Sequence, residues 1–289
     1  MPELPEVEVL VRHLDPLLRD RIVGKVHVRR ERVLRPTSAA SLKRKLRGAK
    51  FLGASRRAKF LVFNLTSRHS DPFLLLGHLG MTGRMYLQPS DLPLPKHAAV
   101  VLDLGTEKFI FEDTRYFGRF TLDQNGLRNL GPEPLSENFC PGQLAPLLAR
   151  SRQPIKVKLL DQKVVAGIGN IYASEALFRA RIRPQTPAAS LKPPEIRRLC
   201  AAIREVLEEA IAFGSTVPLD FPGREPADRL FYYGRTTETA NFYDERLRVY
   251  DRENQPCMKC KKPIRRIVQA ARSTFFCPNC QGSGSGLAI

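Results

Sequence analysis

Long apolar runs are missing from the sequence: none approaches the roughly 20 residues that a membrane-spanning helix needs. The opening, MPELPE, is acidic and has neither the basic start nor the apolar stretch of a secretory signal peptide. Cysteine is also scarce, with 6 in 289 residues. We expect an intracellular protein without a membrane partner, in which cysteines serve as metal ligands or buried thiols rather than as disulfides.

Acidic residues are few in comparison with basic ones. The chain has 29 Asp and Glu against 47 Lys and Arg, a net charge of +18 at pH 7. Residues 1–150 contain 24 basic and 15 acidic residues, and residues 151–289 contain 23 and 14, so each part has an excess of nine. A folded protein that is basic throughout is typical of one that binds a polyanion, with nucleic acid ahead of acidic lipid. On charge alone, a ribosomal protein or a generic basic surface fits equally well.

The apolar pattern divides the chain into a strand-rich part and a helical part. With 43% hydrophobic residues, the chain can bury real cores. Residues 5–18 have apolar positions at helical spacing, and residues 22–122 contain short runs at the spacing of a β-sandwich or barrel, with a hairpin turn at Leu104–Glu107. The runs are Ala49–Ala54, Phe60–Leu65, Phe73–Leu79, Ala98–Leu104, Phe109–Phe111 and Arg119–Leu122.

Proline and polar residues predict a linker at Leu127–Pro154. Beyond it, the spacing favours helices at Ile155–Leu160, Ile171–Arg181 and Pro194–Phe213. Glycines and prolines make Gly214–Arg246 an extended loop. A cysteine module and a Gly/Ser-rich tail follow, and no internal repeat is visible.

Four cysteines form the pattern CxxC-x16-CxxC: Cys257, Cys260, Cys277 and Cys280. Two such knuckles joined by a hairpin bring four thiolates to one tetrahedral Zn²⁺, and about 25 residues cannot fold on apolar burial alone. Basic residues between the knuckles suit the hairpin to phosphate contact; they are Lys261, Lys262, Arg265, Arg266 and Arg272. The pattern predicts one structural zinc ion. Cys140 and Cys200 are expected to be ordinary buried thiols.

Pro2 directly follows Met1, and two glutamates come close behind it. If Met1 is removed, Pro2 presents a secondary amine that can attack an electrophilic carbon and form an iminium. An α-amine has a pKa of about 7.7–8.0, and the positive end of a helix beginning near Pro5 would disfavour its protonated form. Glu3 can move protons, whereas Glu6 can simply complement the helix dipole. A Met-Pro-Glu opening is common, so chemistry here is a hypothesis that other segments must support.

Several segments resemble one family, the bacterial formamidopyrimidine-DNA glycosylases, which are relatives of endonuclease VIII. The segments are MPELPEVE at 1–8, RRAKFL at 56–61, HLGMTG at 78–83, LGPEPL at 130–135 and GIGNIYASE at 167–175, and the cysteine module completes them. The resemblance covers residues 1–281. Several motifs in the same order make it highly specific.

The resemblance implies an α+β multidomain fold. Its expected parts are an N-terminal β-sandwich flanked by helices at 1–135, a helix–two-turns–helix DNA-binding domain at 136–250 with a lesion-capping loop at 214–246, a zinc-ribbon finger at 251–281 and a flexible tail at 282–289. It also implies a monomer in the bacterial cytoplasm, associated with the nucleoid. The expected partner is double-stranded DNA that contains oxidised bases or abasic sites.

The resemblance also implies roles for single residues. Pro2 matches the nucleophile that attacks C1′, Glu3 the acid/base that assists sugar opening, and Lys59 the basic residue beside the lesion's phosphate. Arg272 matches the zinc-finger arginine of the second elimination. Further matches to family DNA contacts are His78, His97, Arg150, Lys156 and Asn170.

Met81, Arg115 and Phe117, named here the wedge residues, match the trio that fills the space left by an extruded base. Taken singly, these positions have plainer interpretations: Met81 and Phe117 as core residues, and Lys59 as a solvated strand lysine. Likewise His78 and His97 can be satisfied histidines. The ordered set of motifs favours the family roles.

Three features depart from the family pattern. Tyr116 stands where the bacterial purine enzymes usually carry a second basic residue. Ala271 precedes Arg272 where a polar residue is expected. The loop Gly214–Arg246 looks longer than usual, although Ser215 and Thr216 at its start fit.

We therefore expect a bifunctional DNA glycosylase and AP lyase in base-excision repair. It would release oxidised purines such as 8-oxoguanine and formamidopyrimidines through a Schiff base on Pro2, with β,δ-elimination. One alternative keeps this chemistry but prefers oxidised pyrimidines; Leu4 and Lys59 argue against it, since glycine at position 4 would have favoured it. Another is a non-catalytic zinc-ribbon protein that binds DNA or RNA. Such a protein would not need a free Pro2, and Pro2, Glu3 and Lys59 together speak against it.

Overall fold

The computed structural model describes residues 2–67, 70–212 and 247–282, with only the backbone of Ser70. Met1, the predicted loop at 214–246 and tail residues 283–289 lie outside the described residues. Described residues up to Arg128 form one compact unit, and those from Asn129 onwards form a second. None of the described helices combines the length and apolar character that a bilayer crossing requires.

The first unit contains most of the strands. Its elements are α1 (Leu4–Leu18), β1 (Val26–Val28), a 3₁₀ turn (Glu31–Leu34), α2 (Ala39–Leu46), β2 (Lys50–Arg57), β3 (Phe60–Ser67), β4 (Ser70–His78), β5 (Gly83–Pro89), β6 (Ala98–Asp103), β7 (Glu107–Asp113), β8 (Arg119–Thr121) and α3 (Asn125–Arg128). The predicted helix and the six predicted strands are present, with ends that differ by a few residues. β1, β5 and α2 were not predicted.

Two antiparallel sheets form a sandwich, as expected. One has the strand order β2-β3-β4-β8 and the other β1-β6-β7-β5. Aromatic side chains join them across a shared core: Phe109 of β7 lies 6.5 Å from Phe51 of β2 and 5.7 Å from Phe63 of β3, between ring centroids. Residues of α1 and α2 belong to the same buried cluster. Edge-to-face aromatic contacts of this kind add to the stabilisation from apolar burial.

The two helices of this unit are explained by apolar spacing and capping. Leu10, Leu14 and Leu18 recur at intervals of four in α1 and are buried. In α2 the side chain of Ser38 accepts a hydrogen bond from the backbone N–H of Ser41, and Leu42 is buried four residues later. Both helices therefore cover the sandwich with an apolar face.

The second unit is mainly helical and ends in a hairpin. Its elements are α4 (Pro141–Leu148), α5 (Ile155–Leu159), α6 (Asn170–Arg179), a 3₁₀ turn (Ala188–Ser190), α7 (Pro193–Ala212), β9 (Arg265–Gln269) and β10 (Arg272–Phe276). The prediction of a plain linker at Leu127–Pro154 was wrong in part, because α4 lies within it. Proline in the first turn begins that helix, and its own residues Leu144 and Leu148 are buried.

The prediction for the two remaining cysteines was half right. Cys200 is buried on α7, but Cys140 is exposed. Cys140 occupies the N-cap of α4, where the chain enters the helix from the surface. An exposed cap position could not be distinguished from a buried one by the sequence pattern.

Candidate active site and zinc module

Pro2 and Glu3 lie immediately before α1 and are both buried. Glu3 is only 2% exposed, and its backbone N–H donates a 2.6 Å hydrogen bond to Oε2 of Glu6. The Glu6 carboxylate is therefore a capping group at the start of the helix, which adds a specific contact to its effect on the helix dipole. This contact fixes the backbone that positions Pro2.

Lys59 occupies the two-residue turn between β2 and β3, where Arg57 pairs with Phe60. Its side chain is only 7% exposed, so it is not the solvated strand lysine of the plainer interpretation. The preceding residue, Ala58, has a φ of 53°, in the left-handed region that the tight turn requires. Burial of an amine at a hairpin tip is unusual and marks this turn as a candidate site.

An ion pair ties α1 to the hairpin that carries Lys59. The Nε atom of Arg56 lies 2.7 Å from Oε2 of Glu8, and its Nη1 donates to the carbonyl of Ala58 at 3.2 Å. The Arg56 side chain is 8% exposed. Bonding to Arg56 and Arg12 lowers the pKa of Glu8 in spite of its partial burial, which acts to raise it. The ion pair between Glu8 and Arg56 thus links α1 to the turn that carries Lys59.

His78 ends β4 and is a neutral imidazole near pH 7. Burial, together with the positive charges of Lys59 and Arg119, lowers its pKa to about 4. Its Nδ1 accepts a 3.0 Å hydrogen bond from the backbone N–H of Gly80, which leaves the proton on Nε2. In the protein without DNA, His78 therefore offers a neutral N–H group at Nε2.

Two of the wedge residues are large apolar side chains in contact with water. Met81 is 41% exposed and Phe117 is 45% exposed, which excludes their interpretation as core residues. The guanidinium of Arg115 lies 4.9 Å from the centre of the Phe117 ring. Exposed apolar groups beside a cation are typical of a surface that meets a ligand.

A buried carboxylate that the sequence did not reveal organises the two loops of the wedge residues. Asp113 is 0% exposed. Its Oδ1 accepts from the hydroxyl of Thr82 at 2.6 Å and from the backbone N–H of Arg115 at 3.1 Å, and its Oδ2 accepts from the N–H of Gly118 at 2.8 Å. Thr82 neighbours Met81, so one side chain holds both loops.

Glycine is required where these loops meet. Gly80 has a φ of 61°, and a Cβ atom there would lie 2.6 Å from the backbone nitrogen of Gly118 and 2.7 Å from the carbonyl carbon of Phe117. A side chain would force the loops apart. Close packing of the two loops thus explains the glycine at position 80 of the HLGMTG motif, independently of the family resemblance.

In the second unit, Lys156 and Asn170 have protein partners. Lys156 is fully buried, and its Nζ donates to Oδ1 of Asn170 at 2.7 Å and to the hydroxyl of Thr274 at 3.1 Å. The Nδ2 of Asn170 donates to the carbonyl of Ser273 at 2.9 Å. These bonds join α5 and α6 to β10, and a DNA contact from either residue remains a prediction.

The four predicted cysteine ligands converge. Their sulfur atoms all lie within 4.8 Å of one another, with 3.8 Å between Cys257 and Cys280 and 3.4 Å between Cys260 and Cys277. Zn–S bonds of about 2.3 Å in a tetrahedron separate the sulfurs by about 3.8 Å. The donor set therefore fits one structural zinc ion, as predicted.

The finger presents Arg272 at the end of a tight turn. The pairing of Arg272 with Gln269 leaves a two-residue loop, Ala270 and Ala271, with φ angles of 47° and 57°. This geometry is usually occupied by Asn-Gly, so two alanines carry backbone strain there. Arg272 is exposed, as is Arg150 just beyond α4.

Two further buried side chains, to which the sequence pattern assigned no role, tie the finger and the segment just before it to the helical part of the unit. Glu175 of α6 accepts from the consecutive backbone N–H groups of Arg248, Val249 and Tyr250 at 2.8–2.9 Å. Burial raises the pKa of its carboxyl, and these donors act in the opposite direction. Gln281 accepts from the N–H of Cys277 and donates to the carbonyl of Ile182, both at 2.9 Å.

Comparisons with known families match three parts of the chain in order. Residues 1–120 match the formamidopyrimidine-DNA glycosylase N-terminal domain, residues 130–219 the H2TH domain of the same glycosylases, and residues 254–282 the zinc finger found in FPG and IleRS. A β-sandwich, a helical unit and a four-cysteine finger in this order define the class of zinc-finger DNA glycosylases.

Relatives over the full length agree. Formamidopyrimidine-DNA glycosylase of Paracoccus denitrificans is 40% identical, covering 97% of this chain and all of that protein. The structure of Lactococcus lactis Fpg with DNA containing N7-benzyl-Fapy-dG has a TM-score of 0.84 and 31% identity, covering 98% of this chain and all of the other. The same protein with abasic-site DNA gives 0.83 and 31%, covering 97% and 100%. The chain belongs to the formamidopyrimidine-DNA glycosylase family.

Proposed function

We propose that this protein is a bifunctional enzyme of base-excision repair, a DNA glycosylase and AP lyase that releases oxidised purines such as 8-oxoguanine and formamidopyrimidines. The observation that carries the proposal is the set of buried groups around the start of α1. Pro2 and Glu3 lie there, and the buried Lys59 lies in a hairpin tied to the same helix by Glu8 and Arg56. Buried ionisable groups that lie on neighbouring elements are typical of active sites.

In the proposed reaction the nitrogen of Pro2, freed by removal of Met1, attacks C1′ of the damaged nucleotide. The N-glycosidic bond breaks, the base takes the proton that the Pro2 nitrogen gives up, and Glu3 protonates the sugar oxygen as the ring opens. The product is an iminium between Pro2 and C1′. Loss of a C2′ proton then expels the 3′ phosphate, a second elimination expels the 5′ phosphate, and water releases the sugar fragment from Pro2.

The other residues would act on phosphates. Lys59 would support the elimination as a cation beside the lesion's phosphate, and His78 would donate a hydrogen bond from its Nε2–H group. In the finger, Arg272 would neutralise charge during the second elimination. Zinc, when bound to the four cysteines, supplies the folding energy of the finger and no reaction step.

The wedge residues would act before chemistry, because a base must leave the stack before C1′ can be attacked. Met81 and Phe117 would fill the space that the base vacates, and Arg115 would hydrogen-bond to the base left without a partner. Their exposure and the carboxylate anchor at Asp113 support this role. We also propose domain boundaries at 135 and 250, and that the enzyme acts as a monomer on the bacterial nucleoid in the cytoplasm.

The test of substrate class is excision from matched duplexes that differ in one base. One carries 8-oxoguanine opposite cytosine, one an oxidised pyrimidine, and one an abasic site. We expect fast release and strand cleavage on the first, slower release on the second, and cleavage of the third. Faster release of the pyrimidine would assign the other substrate class. Tight DNA binding without release of any base would indicate the non-catalytic alternative.

A further inference from the structure

The tyrosine that departs from the family pattern binds an arginine from another part of the first unit. The Nε of Arg30, which precedes the 3₁₀ turn at Glu31–Leu34, donates to the hydroxyl of Tyr116 at 3.2 Å. The same guanidinium lies 5.4 Å from the centre of the Tyr116 ring. Tyr116 thus holds one cation both through its hydroxyl and through its ring face.

His97 is the second partner of this hydroxyl. Its Nδ1 lies 3.4 Å from the Tyr116 oxygen, and the two ring centroids are 6.5 Å apart. Because the arginine Nε can only donate, the hydroxyl oxygen accepts from Arg30 and its proton is available to Nδ1 of His97. Tyr116 thus engages only the Nε of Arg30 and the Nδ1 of His97, which leaves the terminal nitrogens of Arg30 and the Nε2 of His97 outside this contact.

Tyr116 differs from its two neighbours in backbone conformation and in burial. Its φ is 54°, which is uncommon for a bulky residue, and its side chain is half-buried while Arg115 and Phe117 are exposed. Tyr116 is therefore packed against the core of the first unit, whereas the wedge residues are exposed.

The charge on Arg30 is not neutralised by the protein. Arg30 is exposed, and no carboxylate forms an ion pair with it within the described part of the chain. A second exposed arginine, Arg32, lies 5.9 Å from the ring of Phe117, which Arg115 approaches at 4.9 Å. Uncompensated guanidiniums thus surround an exposed aromatic ring, an arrangement suited to a ligand that offers anionic oxygens.

We propose that Arg30, held in place by Tyr116, binds one backbone phosphate of duplex DNA next to the wedge residues, beside the DNA contact that the resemblance implies for His97. The guanidinium of Arg30 provides the cation of this site, and it lies over the tyrosine ring. This inference rests on the proposed function for the identity of the ligand as DNA. Arg30 is a binding residue and Tyr116 a positioning residue.

Counterion release provides the test, since each neutralised phosphate adds about 0.9 to the slope of log K against log salt. The probe is a duplex with a tetrahydrofuran abasic analogue, which the enzyme cannot cleave, and affinity is measured by fluorescence anisotropy over a range of salt. We expect R30A to lower the slope by about one and R30K to retain it. The matched control is R44A, which removes an exposed arginine from α2 and should keep the wild-type slope.

The role of Tyr116 is tested by a double-mutant cycle. Y116F keeps the ring but removes the hydroxyl, and it should weaken binding more in the Arg30 background than in R30A. Equal weakening in both backgrounds would reduce Tyr116 to a packing residue and overturn its positioning role. A wild-type slope in R30A, with an unchanged melting temperature, would overturn the phosphate site; R30Q replaces R30A if the latter does not fold. The slopes do not depend on catalysis, so a wild-type protein that releases no base would refute the proposed function while the slopes still decide this inference.

Discussion

The hydroxyl of Thr82 donates a 2.6 Å hydrogen bond to the buried carboxylate of Asp113. This bond joins the loop that presents Met81 to the loop that presents Arg115 and Phe117, since the same carboxylate also accepts two backbone N–H groups of the second loop. The wedge residues are exposed, but the structure that orders them is buried. Their function should therefore be sensitive to substitutions that touch no DNA.

Removing this anchor should affect base release more than strand cleavage. D113A leaves three donors without a partner, one of them buried and two partly buried, so we expect a loss of about 2–4 kcal/mol in the free energy of unfolding. T82V removes one donor, and we expect it to slow excision of a lesion from duplex DNA more than cleavage at a preformed abasic site. T82S keeps the hydroxyl and is the control. Equal rates for T82V and T82S on the lesion duplex would show that the loops are ordered without this bond.

The wedge residues should show the same separation of activities. M81A and F117A should lower excision from a duplex far more than cleavage at an abasic site, because no base must leave the stack in the second case. R115A should in addition relax discrimination of the opposite base, since only the guanidinium can hydrogen-bond. The measurement is single-turnover kinetics on both substrates. If all three variants slowed both reactions equally, the residues would be general DNA contacts.

His78 should make the protein less stable in acid. Its folded pKa of about 4 lies below the unfolded value of 6.5, so between these values the unfolded chain binds a proton that the folded chain does not. Stability should fall as the pH drops from 6.5 to about 4, by on the order of 1–3 kcal/mol from this group. H78N should remove that part of the pH dependence, and H27N, at an exposed histidine of β1, should not. Identical pH slopes for wild type and H78N would contradict the assignment.

Zinc and Glu175 should stabilise the finger by separate means. C257S should lose zinc and DNA affinity together, because metal binding is the folding energy of the module. E175Q should retain zinc but release it faster to a chelator, since an amide cannot accept the three N–H groups at 248–250, and the loss is about 1–3 kcal/mol. E208Q, at an exposed glutamate of α7, is the control. Zinc-free protein with full DNA affinity would refute the structural role of the metal.

The sequence predicted those features that depend on short patterns. Alternation and spacing located six of the eight strands described in the first unit, and the CxxC pairs identified the zinc ligands. Ordered motifs identified the candidate catalytic residues. Residues of this kind are recognisable because their chemistry or their spacing is itself the signal.

The contacts that order the site were not predictable in the same way. Asp113 ends a strand and Glu175 lies in a helix, and neither position differs in pattern from an exposed acid. Their partners are backbone N–H groups of distant or irregular segments, which no side-chain pattern records. The pairing of Arg30 with Tyr116 likewise depends on residues 86 apart in sequence. Lys156 was expected at DNA, and only the fold reveals that its amine bonds to Asn170 and Thr274.

The most direct test of the account is borohydride trapping of the enzyme on a duplex with 8-oxoguanine opposite cytosine, followed by mass spectrometry of the N-terminal peptide. We predict a covalent adduct on the nitrogen of Pro2, formed only by molecules that have lost Met1, because an acylated nitrogen is an amide and not a nucleophile. P2G, which keeps an amine, should retain some trapping, and E3Q should trap poorly on the lesion while binding DNA normally. A normal yield of adduct from protein that retains Met1 on every molecule, or an adduct on another residue, would contradict the mechanism.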